Sequence, residues 1–373
     1  MKILHFADLH LDASFAASGM TPSVANRRRD ELRGCLRHIL DYAVENGVDL
    51  VTIAGDLYEQ DRCTMDTGNF LREQFERIAP IPVLITPGNH DPWIPDAWYR
   101  QINWPRNVFI FKESKLNPYS IGDVTIWGAA HCSRACWDNL INGMKVPSQG
   151  NHLLLLHASD TANVPRAKSI FCPLNADDVL NSGFKMALLG HYHGARLTPM
   201  EHPLLCYPGS PEPLGFDEVG KHYVLLVEVE GQNTKPTLLE IGYRVYVDLP
   251  IDVSTVVTRE NIRDSVIKLS HEQNLGQAFV RLRLTGMLDP NVQMDSETLL
   301  SDLSEFFAFL DVHNETYPAY DLETLKEELT VKGAFVRKMT TRLEKADPDQ
   351  KEIVKEALYL GLQAMDRREL KPK

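Results

Sequence analysis

The sequence lacks the long apolar run that a membrane-spanning helix needs, since none of its segments reaches about 18 consecutive apolar residues. It also lacks an excess of basic residues. The net charge of −12 argues against a free-standing nucleic-acid-binding protein, because phosphate contacts need Lys and Arg. Residues 1–8 are predicted to form a first β-strand and not a signal peptide. We therefore expect a cytoplasmic protein with no membrane partner.

The cysteines do not form a recognisable zinc pattern. The closest pair, Cys132 and Cys136, has no second pair at the spacing that a structural zinc site needs. Internal repeats and low-complexity tracts are also lacking. We expect reduced, mostly buried thiols at all six cysteines: Cys35, Cys63, Cys132, Cys136, Cys172 and Cys206.

What is present is a regular alternation of short apolar runs and helical patterns, in a chain whose 373 residues suggest two or three domains. This alternation predicts an α/β core with sheets covered by helices. The predicted strands are Lys2–Phe6, Leu50–Ala54, Val83–Thr86, Val124–Trp127, Leu153–His157, Met186–Gly190 and Tyr223–Val229. The predicted helices are Ala25–Glu45, Thr67–Ile78, Arg134–Ile141 and Ala176–Leu180.

The pattern changes near residue 243, which predicts a first domain over residues 1–243. A small α+β module is predicted over residues 244–317, with strands Tyr243–Ile251 and Phe279–Leu284 and helices Arg259–His271 and Ser296–Phe307. Residues 318–373 are predicted to be helical, with two apolar faces. Leu322, Leu325, Leu329, Phe335, Val336, Met339 and Leu343 form the first face, and Ile353, Ala357, Leu358, Gly361 and Met365 form the second.

Five polar clusters each follow an apolar run in the first domain. A single histidine after a strand is usually structural, but five such clusters in succession indicate a site built at the carboxyl ends of strands. Carboxylate, amide and imidazole groups without thiolate suit manganese, iron or zinc. The clusters are Asp8-Leu9-His10, Gly55-Asp56, Gly88-Asn89-His90-Asp91, His157 and Gly190-His191-Tyr192-His193.

These clusters closely resemble the motifs of the calcineurin-like metallophosphoesterases. Within that superfamily, the opening Phe-Ala-Asp-Leu-His-Leu-Asp and the distance to Gly190 resemble the SbcD-type DNA repair nucleases, in particular a YhaO-like branch. The motif resemblance covers about residues 1–215. It implies a four-layer α/β fold with two central sheets flanked by helices, followed by a small α+β capping domain and a C-terminal helical segment.

The resemblance also implies a site with two divalent metal ions, manganese first, with magnesium, iron and zinc as alternatives. His90 would act as the general acid, and Asp91 would orient it. Asp56 would bridge both ions. The first ion would be held by Asp8, His10, Asp56 and His193, and the second by Asp56, Asn89, His157 and His191.

By the same resemblance, the expected activity is hydrolysis of DNA phosphodiester bonds, as endonuclease or exonuclease. The expected partners are DNA, a second copy of the chain in a homodimer, and an SbcC-like coiled-coil ATPase that docks on residues 318–373. That segment carries 12 basic and 11 acidic residues, and this balance suits contact with protein better than with DNA. The structural interpretation is that its apolar faces pack within their own domain.

Two other functions stay open. A phosphatase or small-molecule phosphodiesterase of the same superfamily is the first, although the GDxxDRG motif of its protein phosphatases is absent from Gly55–Asp61. An inert scaffold is the second, although every ligand position of the motif set is filled.

One residue departs from the nuclease pattern. Some related nucleases carry a histidine three residues after the bridging aspartate, whereas this chain has Glu59. A carboxylate there would repel a DNA phosphate and so affect the exonuclease mode. The other interpretation is an exposed loop residue.

Three weaker features have a functional and a structural interpretation. The arginines of the first helix would track a DNA backbone, or they would form a solvated helix face on which Arg28 or Arg29 pairs with Asp30 or Glu31. They are Arg27, Arg28, Arg29, Arg33 and Arg37. The aromatic residues from Trp93 to Trp104 would stack on unpaired bases or pack a long loop. His131 and His152 fit no motif and are interpreted as structural.

Overall fold

The computed structural model describes residues 1–15, 19–165, 169–254, 258–288 and 295–366. These form two compact units, one from Met1 to Tyr246 and the other from Val247 onward. Parts of the predicted capping domain and helical segment, residues 255–257, 289–294 and 367–373, lie outside the described residues. The proposed division at residues 243 and 317 stays a prediction.

The first sheet of the N-terminal unit has the strand order β12-β11-β1-β2-β3-β4. Its strands are β1 (Lys2–Phe6), β2 (Leu50–Ile53), β3 (Val83–Ile85), β4 (Val108–Ile110), β11 (Tyr223–Glu230) and β12 (Asn233–Glu240). Strands β1 to β4 are parallel, whereas β11 and β12 are antiparallel to their neighbours. The parallel strands therefore end at the same edge of the sheet.

The second sheet has the strand order β5-β6-β7-β8-β10-β9. Its strands are β5 (Asn117–Ile121), β6 (Val124–Gly128), β7 (Asn151–His157), β8 (Met186–Gly190), β9 (Arg196–Thr198) and β10 (Leu205–Tyr207). The four central strands are parallel and the two edge strands antiparallel. The predicted α/β fold with two central sheets is confirmed.

The two sheets pack face to face around one apolar core. Ile3 and Leu50 of the first sheet belong to the same buried cluster as Leu153 and Leu188 of the second. Because successive side chains alternate between faces, Leu154 and Leu189 belong to a separate cluster on the outer face of the second sheet. Covering on both faces explains why the middle strands are apolar without alternation.

Helices cover the outer faces. They are α1 (Pro22–Glu45), α2 (Met65–Arg77), α3 (Trp98–Gln101) and α4 (Ala176–Ser182). The first two begin at Thr21 and Thr64, whose side chains accept backbone N–H groups of the first turn. Helices α1 and α2 connect parallel strands β1, β2 and β3, and such crossovers place the helix on a face of the sheet. Val179 of α4 packs in the outer cluster of the second sheet.

The C-terminal unit has a three-stranded sheet, β13-β14-β16, and a two-stranded one, β15-β17. The strands are β13 (Tyr246–Asp252), β14 (Phe279–Thr285), β15 (Met287–Leu288), β16 (Phe309–Asn314) and β17 (Tyr317–Pro318). The helices are α5 (Arg259–Glu272), α6 (Ser296–Leu303), α7 (Leu322–Glu327), α8 (Val331–Lys345) and α9 (Pro348–Met365). Val336, Leu358 and Leu362 form a small core between α8 and α9. No helix among the described ranges combines the length and apolarity that crossing a membrane requires.

Two predictions about helices were wrong. Residues 134–141 form turns rather than a helix. The Asn139 side chain accepts a hydrogen bond from the Ile141 N–H, and the Cys136 carbonyl oxygen accepts one from the Cys172 N–H, so these groups do not form helical hydrogen bonds. Leu329, assigned to an apolar face, precedes α8 and is 99% exposed.

Candidate metal centre

The carboxyl ends of five strands bring polar side chains to one place. Strands β1, β2 and β3 belong to the first sheet, whereas β7 and β8 belong to the second. Both sheets therefore contribute to the same cluster. The side chains at or just after these strand ends are Asp8, His10, Asp56, Asn89, His90, His157, His191 and His193.

The potential ligand atoms form three overlapping groups, and within each group they all lie within 4.8 Å of one another. The groups are Asp8, His10 and His193; His10, Asp56 and His90; and Asp8, Asp56 and His157. Asp8, His10 and Asp56 each belong to two groups. The three groups are therefore one continuous cluster.

Asp56 lies in the middle of this cluster. Its Oδ2 atom is 3.7 Å from Nε2 of His10 and 3.3 Å from Nε2 of His157. The Nε2 atom of His157 is also 2.9 Å from Oδ1 of Asn89. One carboxylate oxygen thus faces a histidine from each predicted ion site, which is the position that a bridging ligand requires.

The residues fit a divalent cation, and His10 gives the clearest reason. Its Nε2 atom is buried and has no hydrogen-bond partner among the described residues. Leaving a buried polar atom unsatisfied costs about 1–3 kcal/mol, a penalty that a metal ion would remove. The donors around it are carboxylate oxygen, amide oxygen and imidazole nitrogen, the set expected for a hard or borderline metal.

Hydrogen bonds hold two of the imidazoles with Nε2 toward the cluster. Nδ1 of His157 lies 2.8 Å from the carbonyl oxygen of Ala54, and Nδ1 of His10 lies 2.7 Å from Oε1 of Glu59. Bonds of this type fix the tautomer and orientation of a metal-binding histidine. Nε2 is therefore the atom with which both residues would bind a metal.

His193 and His191 are held in different ways. Nδ1 of His193 lies 2.6 Å from Oε1 of Glu218, whose other oxygen accepts the hydroxyl of Ser210 at 2.7 Å. His191 instead uses Nε2, which lies 2.8 Å from the carbonyl oxygen of Ser169. Nδ1 is thus the atom with which His191 would bind a metal.

The buried cluster combines an ionised aspartate with a protonated histidine, and a metal cation could replace the proton of that histidine. Burial opposes ionisation of Asp56, but the charges of His157, His10 and His90 outweigh it and hold the pKa of Asp56 well below its usual range. Burial also opposes protonation of His157, whereas Asp56 and Asp8 raise the pKa of His157 to about 9. In the metal-free protein His157 is therefore a cation at neutral pH.

The backbone at the ligands is strained. Asp8, His10, Asp56 and His191 have φ angles of 56°, 49°, 51° and 99°. A residue other than glycine in such a conformation costs on the order of 1–3 kcal/mol and persists where the surrounding structure enforces it. The surrounding fold thus holds the loops of these predicted ligands in their strained conformations.

Gly88 shows how closely two of these loops approach. A Cβ atom at this position would lie 2.3 Å from Oδ1 of Asp56, far inside van der Waals contact. The motif therefore requires glycine because of the close approach of the Asp56 carboxylate.

Glu59 links the cluster to His90. Oε2 of Glu59 lies 2.9 Å from Nδ1 of His90, and its Oε1 atom bonds His10. Burial lowers the pKa of His90, but the hydrogen bond with Glu59 and the charges of Asp56 and Glu59 raise it to about 9. Glu59 is therefore not an exposed loop residue. Sequence reasoning missed this role, since only the distance between loops reveals it.

Asp91 does not hold the His90 ring as expected, because its acceptors are used elsewhere. Its Oδ1 atom accepts the N–H groups of Asp56 and Gly88, and its Oδ2 atom accepts Leu57 N–H and the hydroxyl of Tyr99. A carboxylate offers about four lone-pair positions, and four donors fill them. Asp91 thus connects the loop of Asp56 with the loop of Gly88.

The arginines of α1 are engaged in structural contacts. Arg28 is fully buried and donates to Glu31, to Glu212 at 2.8 Å and to the carbonyl oxygen of Pro213 at 2.9 Å. Arg33 forms an ion pair with Asp66. The predicted pairing of Arg28 with Glu31 is confirmed, whereas the expectation of a solvated helix face is wrong for Arg28, which is buried.

The aromatic residues after His90 pack their own loop. Tyr99 is buried and donates its hydroxyl to Asp91, and Trp104 donates Nε1–H to the carbonyl oxygen of Tyr99. The guanidinium of Arg100 lies 4.7 Å from the ring centre of Trp93. The structural interpretation of this loop is the one that the contacts support.

His131 and His152 lie outside the three ligand groups. Nε2 of His131 lies 2.8 Å from the carbonyl oxygen of His157, and burial lowers the pKa of His131 to about 4. His152 lies 2.8 Å from the carbonyl oxygen of Gln149. His131 is a neutral neighbour that supports the strand carrying a predicted ligand.

Comparison with known proteins agrees with this geometry. The family model of the calcineurin-like phosphoesterases matches residues 1–195. The uncharacterized metallophosphoesterase YhaO of Bacillus subtilis is 30% identical over 242 residues, which cover 61% of this chain and 57% of that protein. The DNA double-strand break repair protein Mre11 of Sulfurisphaera tokodaii is 23% identical over 345 residues, which cover 88% of this chain and 84% of that protein.

Among solved structures, a dimetal phosphatase from Danio rerio aligns with 65% of this chain and 99% of its own, at a TM-score of 0.38 and 12% identity. The family match spans all five polar clusters, and the geometry places their side chains in one cluster. The chain belongs to the calcineurin-like phosphoesterase family.

Proposed function

We propose that this chain is a metal-dependent DNA nuclease that hydrolyses phosphodiester bonds with two divalent cations, manganese being the preferred ion. The observation that carries the proposal is the cluster of Asp8, His10, Asp56, His90, His157 and His193, which Asn89 and His191 join through contacts with His157. The relationship to an Mre11 protein over 88% of the chain, beyond the phosphoesterase domain, favours a nuclease within the family.

The proposed ligand sets are those implied by the family motifs, and the group of Asp8, His10 and His193 supports the first of them. Asp8, His10, Asp56 and His193 would hold one ion, and Asp56, Asn89, His157 and His191 the other. When bound, the two cations would supply an activated water at neutral pH and neutralise charge on the phosphate oxygens.

His90 is the proposed general acid. Its side chain is 44% exposed, so a substrate can reach it, and its Nδ1–H is directed at Glu59. Nε2 of the imidazolium is then the atom that gives its proton to the departing sugar oxygen. Asp91 would act by positioning, since it bonds both the loop of Asp56 and the loop of His90.

The negative net charge fits a nuclease that works in a complex. DNA binding needs positive charge, which two dications supply locally and a partner supplies elsewhere. Helices α8 and α9 and the turn before them expose large apolar side chains: Leu329, Val331 and Ile353 are at least 67% exposed. We propose these helices as the docking segment for an SbcC-like coiled-coil ATPase, and a homodimer as the nuclease form.

The test measures cleavage of linear double-stranded and single-stranded DNA with manganese, magnesium, zinc or iron, with and without the co-encoded ATPase. A small phosphodiester, a phosphomonoester and a cyclic nucleotide are assayed in parallel. We expect manganese-dependent cleavage of DNA that Asp56→Ala and His90→Ala abolish. His202→Ala is the matched control, because His202 is exposed in the turn between β9 and β10 and belongs to none of the polar clusters.

Two results would contradict the proposal. Intact DNA together with Asp56-dependent opening of a cyclic nucleotide would identify a small-molecule phosphodiesterase instead. Activity that survives both Asp56→Ala and His90→Ala would show that this cluster is not the catalytic site.

A further inference from the structure

Two cysteines from distant parts of the sequence meet beside the metal centre. Cys136 lies in the segment between β6 and β7, and Cys172 lies between β7 and α4. Their Sγ atoms are 2.7 Å apart, and the Cys172 N–H donates to the carbonyl oxygen of Cys136 at 2.6 Å. We propose that Cys136 and Cys172 are a reversible dithiol–disulfide site that locks the wall of the metal centre when it is oxidised.

The two thiols differ as an attacking and a resolving thiol differ. Cys136 is half-buried, whereas Cys172 is 2% exposed. The hydrogen bond from Cys172 lowers the pKa of Cys136 to about 7, and the same bond together with burial raises the pKa of Cys172. Because the thiolate is the nucleophile, Cys136 reacts first with an external oxidant.

The neighbouring thiol Cys132 is a natural contrast. Cys132 is an exposed residue. Partial desolvation of its thiol and the charge of Cys136 nevertheless raise the pKa of Cys132. An exposed cysteine with little thiolate at neutral pH reacts slowly. Accessibility alone would favour Cys132 as the oxidised residue, whereas the pairing of thiols favours Cys136.

The oxidation needs a low-molecular-weight disulfide such as oxidised glutathione. The Cys136 thiolate attacks one sulfur of that disulfide, whose S–S bond breaks and releases one glutathione thiolate. Cys172 then loses its proton and attacks the Cys136 sulfur of the mixed disulfide, which releases the second glutathione. Two protein thiols are oxidised, one small disulfide is reduced to two thiols, and the two protein protons end on those thiols.

The position of the pair gives the bond a structural consequence. The rings of Trp137 and Phe171, each next to one of the cysteines, are 5.4 Å apart, and Phe171 is 5.4 Å from the ring of His191. Ser169, close by in the same segment, accepts a hydrogen bond from His191. A bond between Cys136 and Cys172 would therefore tie the segment that holds a predicted metal ligand to the loop before β7.

The experiment counts thiols and maps the bond, so it does not depend on nuclease activity. The full-length protein is incubated with oxidised glutathione, quenched with N-ethylmaleimide after denaturation, and analysed by intact mass and peptide mapping. We expect the six alkylated thiols to fall to four, a peptide cross-linked between Cys136 and Cys172, and full reversal by dithiothreitol. Oxidation should also raise the Tm by several degrees, since the bond closes a long loop.

Three variants sharpen the result. Cys172→Ser should stop at one glutathione on Cys136, Cys136→Ser should form no cross-link, and Cys132→Ser should behave as the wild type. The proposal is overturned if the wild type keeps six alkylatable thiols at a concentration of oxidised glutathione that oxidises a control protein with a reactive dithiol. A bond mapped to Cys132 would overturn it equally, and both of these measurements need only the wild-type protein.

Discussion

Replacing Glu59 with glutamine tests the role that the structure gives this residue. Its two carboxylate oxygens accept one hydrogen bond each from His10 and His90. Glutamine keeps the shape but has only one acceptor oxygen, so its amide N–H₂ faces the second imidazole N–H. One ring must therefore turn or change its tautomer.

Two effects of opposite sign compete in this variant. A lost hydrogen bond to a charged partner costs about 1.5–3 kcal/mol, whereas repulsion between the partly exposed Glu59 carboxylate and a phosphate is worth roughly 1 kcal/mol or less. The loss is larger than the relief. We therefore expect Glu59→Gln to lower kcat/KM by about 10–100-fold, the range typical of residues that orient metal ligands.

The assay is kcat/KM for DNA cleavage between pH 5.5 and 10 with manganese, together with a titration of metal affinity. Because Glu59 raises the pKa of His90, the alkaline loss of activity should move to lower pH in the variant. Glu73→Gln is the matched control, since Glu73 is exposed on α2. An increase in DNA cleavage, or an unchanged pH profile with unchanged metal affinity, would refute the reasoning.

Three further outcomes are expected. Metal binding should release protons near neutral pH, because His157 with a pKa of about 9 must lose its proton. Calorimetry in buffers of different ionisation enthalpy measures this release. Metal affinity should rise with pH up to about 9 and then level off. Arg28→Met should lower the free energy of unfolding by about 3–5 kcal/mol in urea titrations, because the buried Glu212 loses its partner. A decrease below about 1 kcal/mol would contradict a structural role for the ion pair between Arg28 and Glu212. Gly88→Ala should abolish metal binding, measured by metal content after purification, because its Cβ would displace the carboxylate of Asp56.

The strand ends that carry the candidate metal centre could be predicted because their signal is local. An apolar run followed by Asp, Asn or His needs no knowledge of distant residues, and all eight side chains lie at or just after the strands that the sequence predicted. Edge strands were harder to predict. Strand β12 contains Pro236 among polar residues, which does not resemble a typical strand. The proline is tolerated because β12 is an edge strand, one side of which lacks a hydrogen-bonded neighbour.

Contacts between loops could not be predicted from the sequence. Glu59 bonds His90 across 31 positions and Glu218 bonds His193 across 25, and no periodic pattern records such pairs. The prediction of a helix at residues 134–141 failed for the same reason. The periodicity there suits a helix, but the turn at Asn139 and the backbone hydrogen bond with Cys172 replace helical hydrogen bonds.

The division of the ligands between two sheets has a consequence for assembly. Asp8, Asp56 and Asn89 follow strands of the first sheet, and His157 and His191 come from the second. A fragment that ends before β7 would carry four of the seven proposed ligands and would lack His157, His191 and His193. Cations bound by the proposed ligands would therefore connect the two sheets, and a nascent chain would bind them only after residue 193 has been synthesised and the two sheets have packed together.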